Sequence, residues 1–196
     1  MLALLNKHAP EFGVSFADNH KSYKLYPDEL KDMSVAFGHP VDEKDLQQRK
    51  AVGHISTHYV CCTDKFPNTF TFSPAEGVFI GWYTMAANFD GFLRWSYNSW
   101  TEHPLQDSRF LAWPAGDTYI VYPKNRSSIR FETLREGIQD AEKIRILREE
   151  LVKENRLGEL KHLNDVVHQF NITKKPENLE RMLQDAKNML NTLAKK

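Results

Sequence analysis

The sequence predicts an α/β protein equivalent to about half of an eightfold (β/α) barrel, carrying a helical extension at its C-terminal end. Three observations lead there. Strand-like and helix-like segments alternate over residues 13–97, which calls for parallel strands joined by crossover helices. About four such units fill residues 1–155, whereas a complete eightfold barrel takes about 250 residues and at least about 200. The strands end in polar and aromatic residues followed by long loops, as on the C-terminal rim where barrels hold their chemistry; an open doubly wound sheet is the competing arrangement.

Residues 1–8 read as a helix stopped before Pro10, and 13–17 as a short strand. A polar loop over 18–26 and a short helix near 27–30 lead to a second strand at 33–37, closed by Gly38 and Pro40. Asp42 caps a helix through about Val52. The third strand, 54–60, sets His54, Ser56 and His58 on one face and Ile55, Thr57 and Tyr59 on the other. Bulk on both faces predicts a sheet covered on both sides.

Ser73-Pro74-Ala75-Glu76 combines an N-cap serine, a proline at the first helical position and the glutamate of a capping box, so a helix runs from there to about Asn88. Asp90-Gly91 hands over to a fourth strand at 92–97. The stretch 100–123 is a long aromatic and polar excursion with a strand-like run at 118–122, and loops of that length are usually functional. Ser127 or Ser128 caps a helix to about Glu154 whose apolar face is Ile129, Leu134, Ile138, Ala141, Ile144 and Leu151. Two amphipathic helices, roughly 159–170 and 176–194, complete the chain. The expected division is a partial barrel over 1–155 and a helical extension packed on it over 156–196.

Twenty-six basic and 26 acidic residues balance to a formal charge of +0, so nothing in the overall field advertises nucleic acid or an anionic membrane as partner. No apolar run is long enough to span a bilayer, and the first five residues lack a basic leader, so the chain as written is expected in the cytoplasm. An apolar helical start with no capping residue ahead of it suggests a chain that begins partway through a larger fold. The two cysteines, Cys61 and Cys62, are adjacent, which strains a bridge between them and gives no disulfide framework.

Two acidic pairs, Asp28-Glu29 and Asp42-Glu43, have the composition of a glycosidase acid pair. Each follows a proline and suits a helix N-terminus, where acids interact favourably with the dipole, so capping is the stronger reading and catalysis the weaker one. His54 and His58 stand about 13 Å apart along a strand, too far to share a metal, and read as histidines hydrogen-bonded within a sheet. All four tryptophans, Trp82, Trp95, Trp100 and Trp113, fall within 32 residues, interleaved with Tyr97, Asn98, Asp107 and Arg109. Flat rings suit the apolar faces of sugars, and amide, carboxylate and guanidinium groups suit their hydroxyl and acetamido groups. Trp82 and Trp95 are the best candidates for plain core.

The segments 53–62 (GHISTHYVCC), Pro67-Asn68, the run from Gly81 into 90–100 (DGFLRWSYNSW), Asp107-Ser108-Arg109-Phe110, 113–119 (WPAGDTY) and 128–140 (SIRFETLREGIQD) together resemble the C-terminal part of the catalytic domain of glycoside hydrolase family 123, which is β-N-acetylgalactosaminidase-like. The resemblance spans about residues 10–150. It implies the C-terminal half of a (β/α)8 TIM-type barrel from an enzyme that cleaves terminal N-acetylhexosaminides with retention. The substrate's acetamido oxygen serves as nucleophile, and no metal or cofactor is implied. In that family an adjacent Asp-Glu pair orients the acetamido group and protonates the leaving oxygen, at a strand end ahead of the region matched here. Neither local acidic pair has matching surroundings.

The expectation is therefore a truncated glycoside hydrolase domain that supplies the sugar-pocket wall through Tyr59, Tyr97, Asn98, Trp100, Asp107 and Arg109 but lacks the catalytic pair. Asp28, Glu29, Asp42 and Glu43 are the weak alternatives for acids. The other readings are a non-catalytic carbohydrate-binding or interaction module, or a subunit completing a split enzyme. Exposed strand edges in a half-barrel further predict a homo-oligomer or pairing with an N-terminal half-barrel.

Overall fold

The structure, a computed structural model, describes residues 2–60, 64–67, 73–111 and 113–195. Cys61, Cys62 and Asn68 lie outside that set. Four strands, β1 (Ser15–Ala17), β2 (Asp32–Ala36), β3 (Ile55–Tyr59) and β4 (Gly91–Phe92), form one sheet in the order β1-β2-β3-β4. Every pairing is parallel, with Met33 beside Ser56 and Val35 beside His58. The helices are α1 (Leu2–His8), α2 (Glu43–Ala51), α3 (Pro74–Ala86), α4 (Ile129–Lys153), α5 (Leu157–His168) and α6 (Leu179–Leu193). The expected strand and helix alternation is thus realised as an α/β fold with right-of-way given to local signals: Asp42 Oδ1 accepts from the Lys44 amide at 3.2 Å, and Ser128 Oγ from the Phe131 amide at 3.2 Å.

Helix α3 is the centre of the molecule. On one side Tyr83 and Thr84 meet His58 of the sheet; on the other Trp82 lies 4.7 Å from the Phe170 ring. Leu163, Val167, Leu179, Leu183 and Leu190 join Phe79, Trp82 and Ile144 in one hydrophobic cluster, so α5 and α6 share the core of α3 and α4. Glycine permits the closest contact. A Cβ on Gly81 would stand 1.9 Å from the Gly137 carbonyl oxygen, and one on Gly137 would stand 2.5 Å from that of Val78.

Several expectations give way. Ser73 is the N-cap of α3 but its side chain makes no cap bond; Glu76 instead is buried and pairs with Lys175 at 2.8 Å. On α4 the buried line is Leu134, Gly137, Ile144, Leu147 and Leu151, with Ile129 and Ile138 exposed, because the near approach of α3 demands the small residue next to Ile138. The short helix near 27–30 is a turn, with a 3-10 turn at Ser22–Lys24 ahead of it. The sheet's cover is complete only on the His58 face, where Met33, Val35, Ser56 and His58 are buried; on the other face Ser34 is buried at the centre, Thr57 and Tyr59 are half-buried, and Ile55 is 50% exposed.

The fourth strand stops at Phe92, although the Leu93 amide still donates to the His58 carbonyl at 2.8 Å. Alternation continues to Tyr97, but inverted, with Leu93, Trp95 and Tyr97 outward and Ser96 buried. Residues 118–122 form no strand. They meet their neighbours through single bridges, Asn98 with Tyr119 and Tyr122 with Arg126, and a ladder requires consecutive pairs.

Candidate functional site

The excursion 93–128 leaves the C-terminal end of β4 and folds onto itself. Ser96 Oγ donates to the Thr118 carbonyl at 2.6 Å, the Ser99 amide to the same carbonyl at 3.0 Å, and the Ile120 amide to the Tyr97 carbonyl at 2.9 Å. Beneath, the Arg94 guanidinium donates to the Asp117 carbonyl and lies 3.5 Å from its carboxylate, both side chains being buried. Burial lowers the Arg94 pKa to about 10. Ser128 Oγ donates to the Ile120 carbonyl at 2.5 Å, tying this platform to the start of α4. The inverted alternation now has its cause: the polar side chains point inward to bond carbonyls, and the aromatic ones are left outside.

On the outer side lies a pocket of 340 Å³ lined by Tyr97, Asn98, Trp100, Tyr122, Arg126 and Phe131 among others. Trp100 is held by its indole N–H, which donates to the Val121 carbonyl at 2.8 Å, and Tyr97 meets Phe131 edge-on at 6.3 Å. Three of the residues expected to touch sugar, Tyr97, Asn98 and Trp100, are thus brought together. The other three are not among its lining. Tyr59 is half-buried at the C-terminal end of β3. Asp107 and Arg109 form a bidentate surface pair, at 2.9 Å and 2.8 Å, which holds the Asp107 carboxyl down at about 2.

Sequence reading missed Tyr122, Lys124, Arg126 and Phe131 as pocket residues. Lys124 and Asn125 are both left-handed, at φ 61° and 58°, and this turn brings Tyr122 back against Arg126. Neither residue announces that conformation as glycine would. Of the two tryptophans assigned to the core, Trp82 is fully buried, its indole N–H donating to Asp140 Oδ2 at 2.9 Å. Trp95 is instead 40% exposed, with its ring 5.0 Å from that of Trp113.

None of the four candidate acids lines the pocket. Asp42 caps α2, and Glu43 accepts from Gln47 and Asn88, both at 3.3 Å. Asp28 and Glu29 sit in the turn leading into the N-terminal end of β2, at the opposite end of a parallel sheet from the pocket. A cavity of 470 Å³ beside Asp28 also contains Tyr23, Asp45, Arg49 and His54. Its central charges are already engaged: Arg49 donates to the Leu30, Lys31 and Ile55 carbonyls and to Ser56 Oγ, and Asp45 accepts from Tyr23 and pairs with Lys24.

His58 is the interior histidine expected of the third strand, with Nε2 2.9 Å from Thr84 Oγ1, while His54 is half-buried at the strand's entrance. Among the described residues no three His, Cys, Asp or Glu side chains group as metal ligands, and no helix is long and apolar enough to cross a membrane.

A parallel sheet with crossover helices defines an α/β protein, and its aromatic pocket lies on the loop leaving a strand's C-terminal end. The family model for the glycoside hydrolase 123 catalytic domain matches residues 1–147, and the chain belongs to that family. Among solved structures it is similar to a family 123 glycoside hydrolase from Clostridium perfringens, described for glycolipid glycan hydrolysis, with a TM-score of 0.74 and 26% identity. That match covers 93% of this chain, reaching past residue 147 into the C-terminal helices, and 35% of the other, so the chain spans about a third of that relative's length. No curated protein matches the chain.

Proposed function

We propose that this chain is the sugar-holding C-terminal half of a (β/α)8 barrel from a retaining, substrate-assisted glycosidase of the β-N-acetylgalactosaminidase type. The observation that carries this reading is the convergence of Tyr97, Asn98 and Trp100 on one pocket in a family 123 domain. Trp100 offers a flat face to a pyranose ring, and Asn98 offers an amide that both donates and accepts. Asp107, Arg109 and Tyr59 serve as outlying contacts at the same rim. The acid that protonates the leaving oxygen comes from outside this set of residues, since Asp42 and Glu43 are engaged at α2 and Asp28 and Glu29 belong to the other end of the sheet. The reaction needs no metal or cofactor, because the substrate's acetamido oxygen is the nucleophile. Residues 156–196 form a helical extension that buttresses α3 and α4.

Titration with N-acetylgalactosamine tests this. Tryptophan fluorescence responds in the parent and not in Trp100→Ala. Turnover of an aryl N-acetylgalactosaminide that Glu29→Gln or Glu43→Gln abolishes would replace this reading with a self-sufficient enzyme.

A second reading, an interaction module, is favoured by one observation: β1 is exposed along its whole length at the sheet edge. Under it the chain pairs with a second copy or with an N-terminal half-barrel. Sedimentation at high concentration then shows a dimer, and a monomer removes the self-pairing form.

A further inference from the structure

We propose that the pocket selects an anionic saccharide, an N-acetylhexosamine that carries or adjoins a fixed negative charge; the inference rests on the sugar-site reading above. Its basis is the charge left unspent around the aromatic rings. The chain has ten arginines. Nine engage their guanidinium groups: Arg49 and Arg130 on carbonyls, Arg148 on Asn164, and Arg94, Arg109, Arg135, Arg145, Arg156 and Arg181 on carboxylates.

Among the described residues Arg126 is the one arginine with no side-chain partner, and it lines the pocket together with Lys124, which has none either. No lining residue is acidic. The nearby Glu132 carboxylate is occupied, accepting from Ser127 Oγ at 2.5 Å and pairing with Arg135 at 2.5 Å. A neutral sugar would leave both cations without a counter-charge, whereas a sulfate or a uronate carboxylate would take charge-assisted hydrogen bonds from them. Two consecutive left-handed residues, Lys124 and Asn125, turn the chain here and place Lys124 at this rim. The formal net charge of +0 and the single-sugar dimensions of the pocket favour a saccharide over a nucleic acid.

The test is a fluorescence titration of the intact chain at low salt with methyl N-acetylgalactosaminide, its 6-sulfate, and a glucuronate-linked N-acetylgalactosamine disaccharide. At least one charged ligand binds about tenfold tighter than the neutral one, and the better of the two identifies the group. The advantage disappears in the Arg126→Gln/Lys124→Gln variant, which folds because neither side chain has a partner to lose. Equal affinity for neutral and charged sugars overturns the inference and leaves the sugar site standing. Absence of binding by every sugar overturns the sugar site itself. An equal gain with inorganic sulfate, or with a short single-stranded oligonucleotide, overturns the saccharide assignment.

Discussion

His58 Nε2 lies 2.9 Å from Thr84 Oγ1, and that hydroxyl spends its one proton on the Ile80 carbonyl at 2.8 Å. Thr84 can therefore only accept from His58, which puts a proton on Nε2. Nδ1 is buried with no hydrogen-bond partner, and Tyr83, Phe89 and Phe92 surround the ring at 4.9–5.3 Å. A second proton would be both unsolvated and unbonded, so burial lowers the pKa from 6.5 to about 3.

The pH dependence follows. The unfolded chain takes up a proton at His58 below pH 6.5 while the folded chain does not until about pH 3, so stability present at neutral pH is lost as pH falls through that window. The slope is about 1.4 kcal/mol per pH unit. Asp18 and Asp107, lowered from 3.8 to about 2 by their hydrogen-bond partners, add acid sensitivity only as pH falls from 3.8 towards about 2, and His54, lowered by burial, adds in the same direction as His58. Urea unfolding between pH 6.5 and 5 isolates the effect: His58→Met has a flatter slope than the parent, and equal slopes would refute the assignment.

Gly81 and Gly158 respond in opposite senses to alanine. At Gly81 the new methyl collides with the α4 backbone, and the loss is about 3 kcal/mol or more, enough to threaten folding. At Gly158, near the start of α5, nothing stands within 4 Å, and alanine stabilises by about 0.5–1 kcal/mol. Thermal melts of the two variants decide.

Lys175→Met exposes the role of the loop between α5 and α6. Glu76 is 3% exposed and loses one partner, while Lys175 is partly solvated, so the cost is about 1–2 kcal/mol. Hydrogen exchange should speed up near residues 171–175, where Thr173 also packs beside Gly38. Unchanged protection would mean that the ion pair contributes nothing to holding the loop.

Leu111 has φ 54° and is 88% exposed, so its side chain gains no burial for its backbone strain. Leu111→Gly is expected to stabilise the chain by about 0.5–1 kcal/mol, read as a higher midpoint in urea. A loss of stability would show that the side chain contributes more than its exposure suggests.

The α/β class, the capped starts of α2 and α4, the interior His58 and the family can all be read along the chain. These are local signals, carried by an Asp or Ser before a helix, by alternation along β3, or by ordered motifs such as 90–100. The sequence also placed Tyr97, Asn98 and Trp100 in one cluster, because they lie within four residues. Tertiary structure decided which faces are covered. Trp95 faces outward because Arg94 and Ser96 turn inward to bond residues 23 and 22 positions away, and Ile138 is displaced from the core because Gly137 admits α3. The same holds for Arg126. Only the turn through two left-handed residues brings it into the pocket, and pattern along a chain records spacing between neighbours, not contacts made by a backbone doubling back on itself.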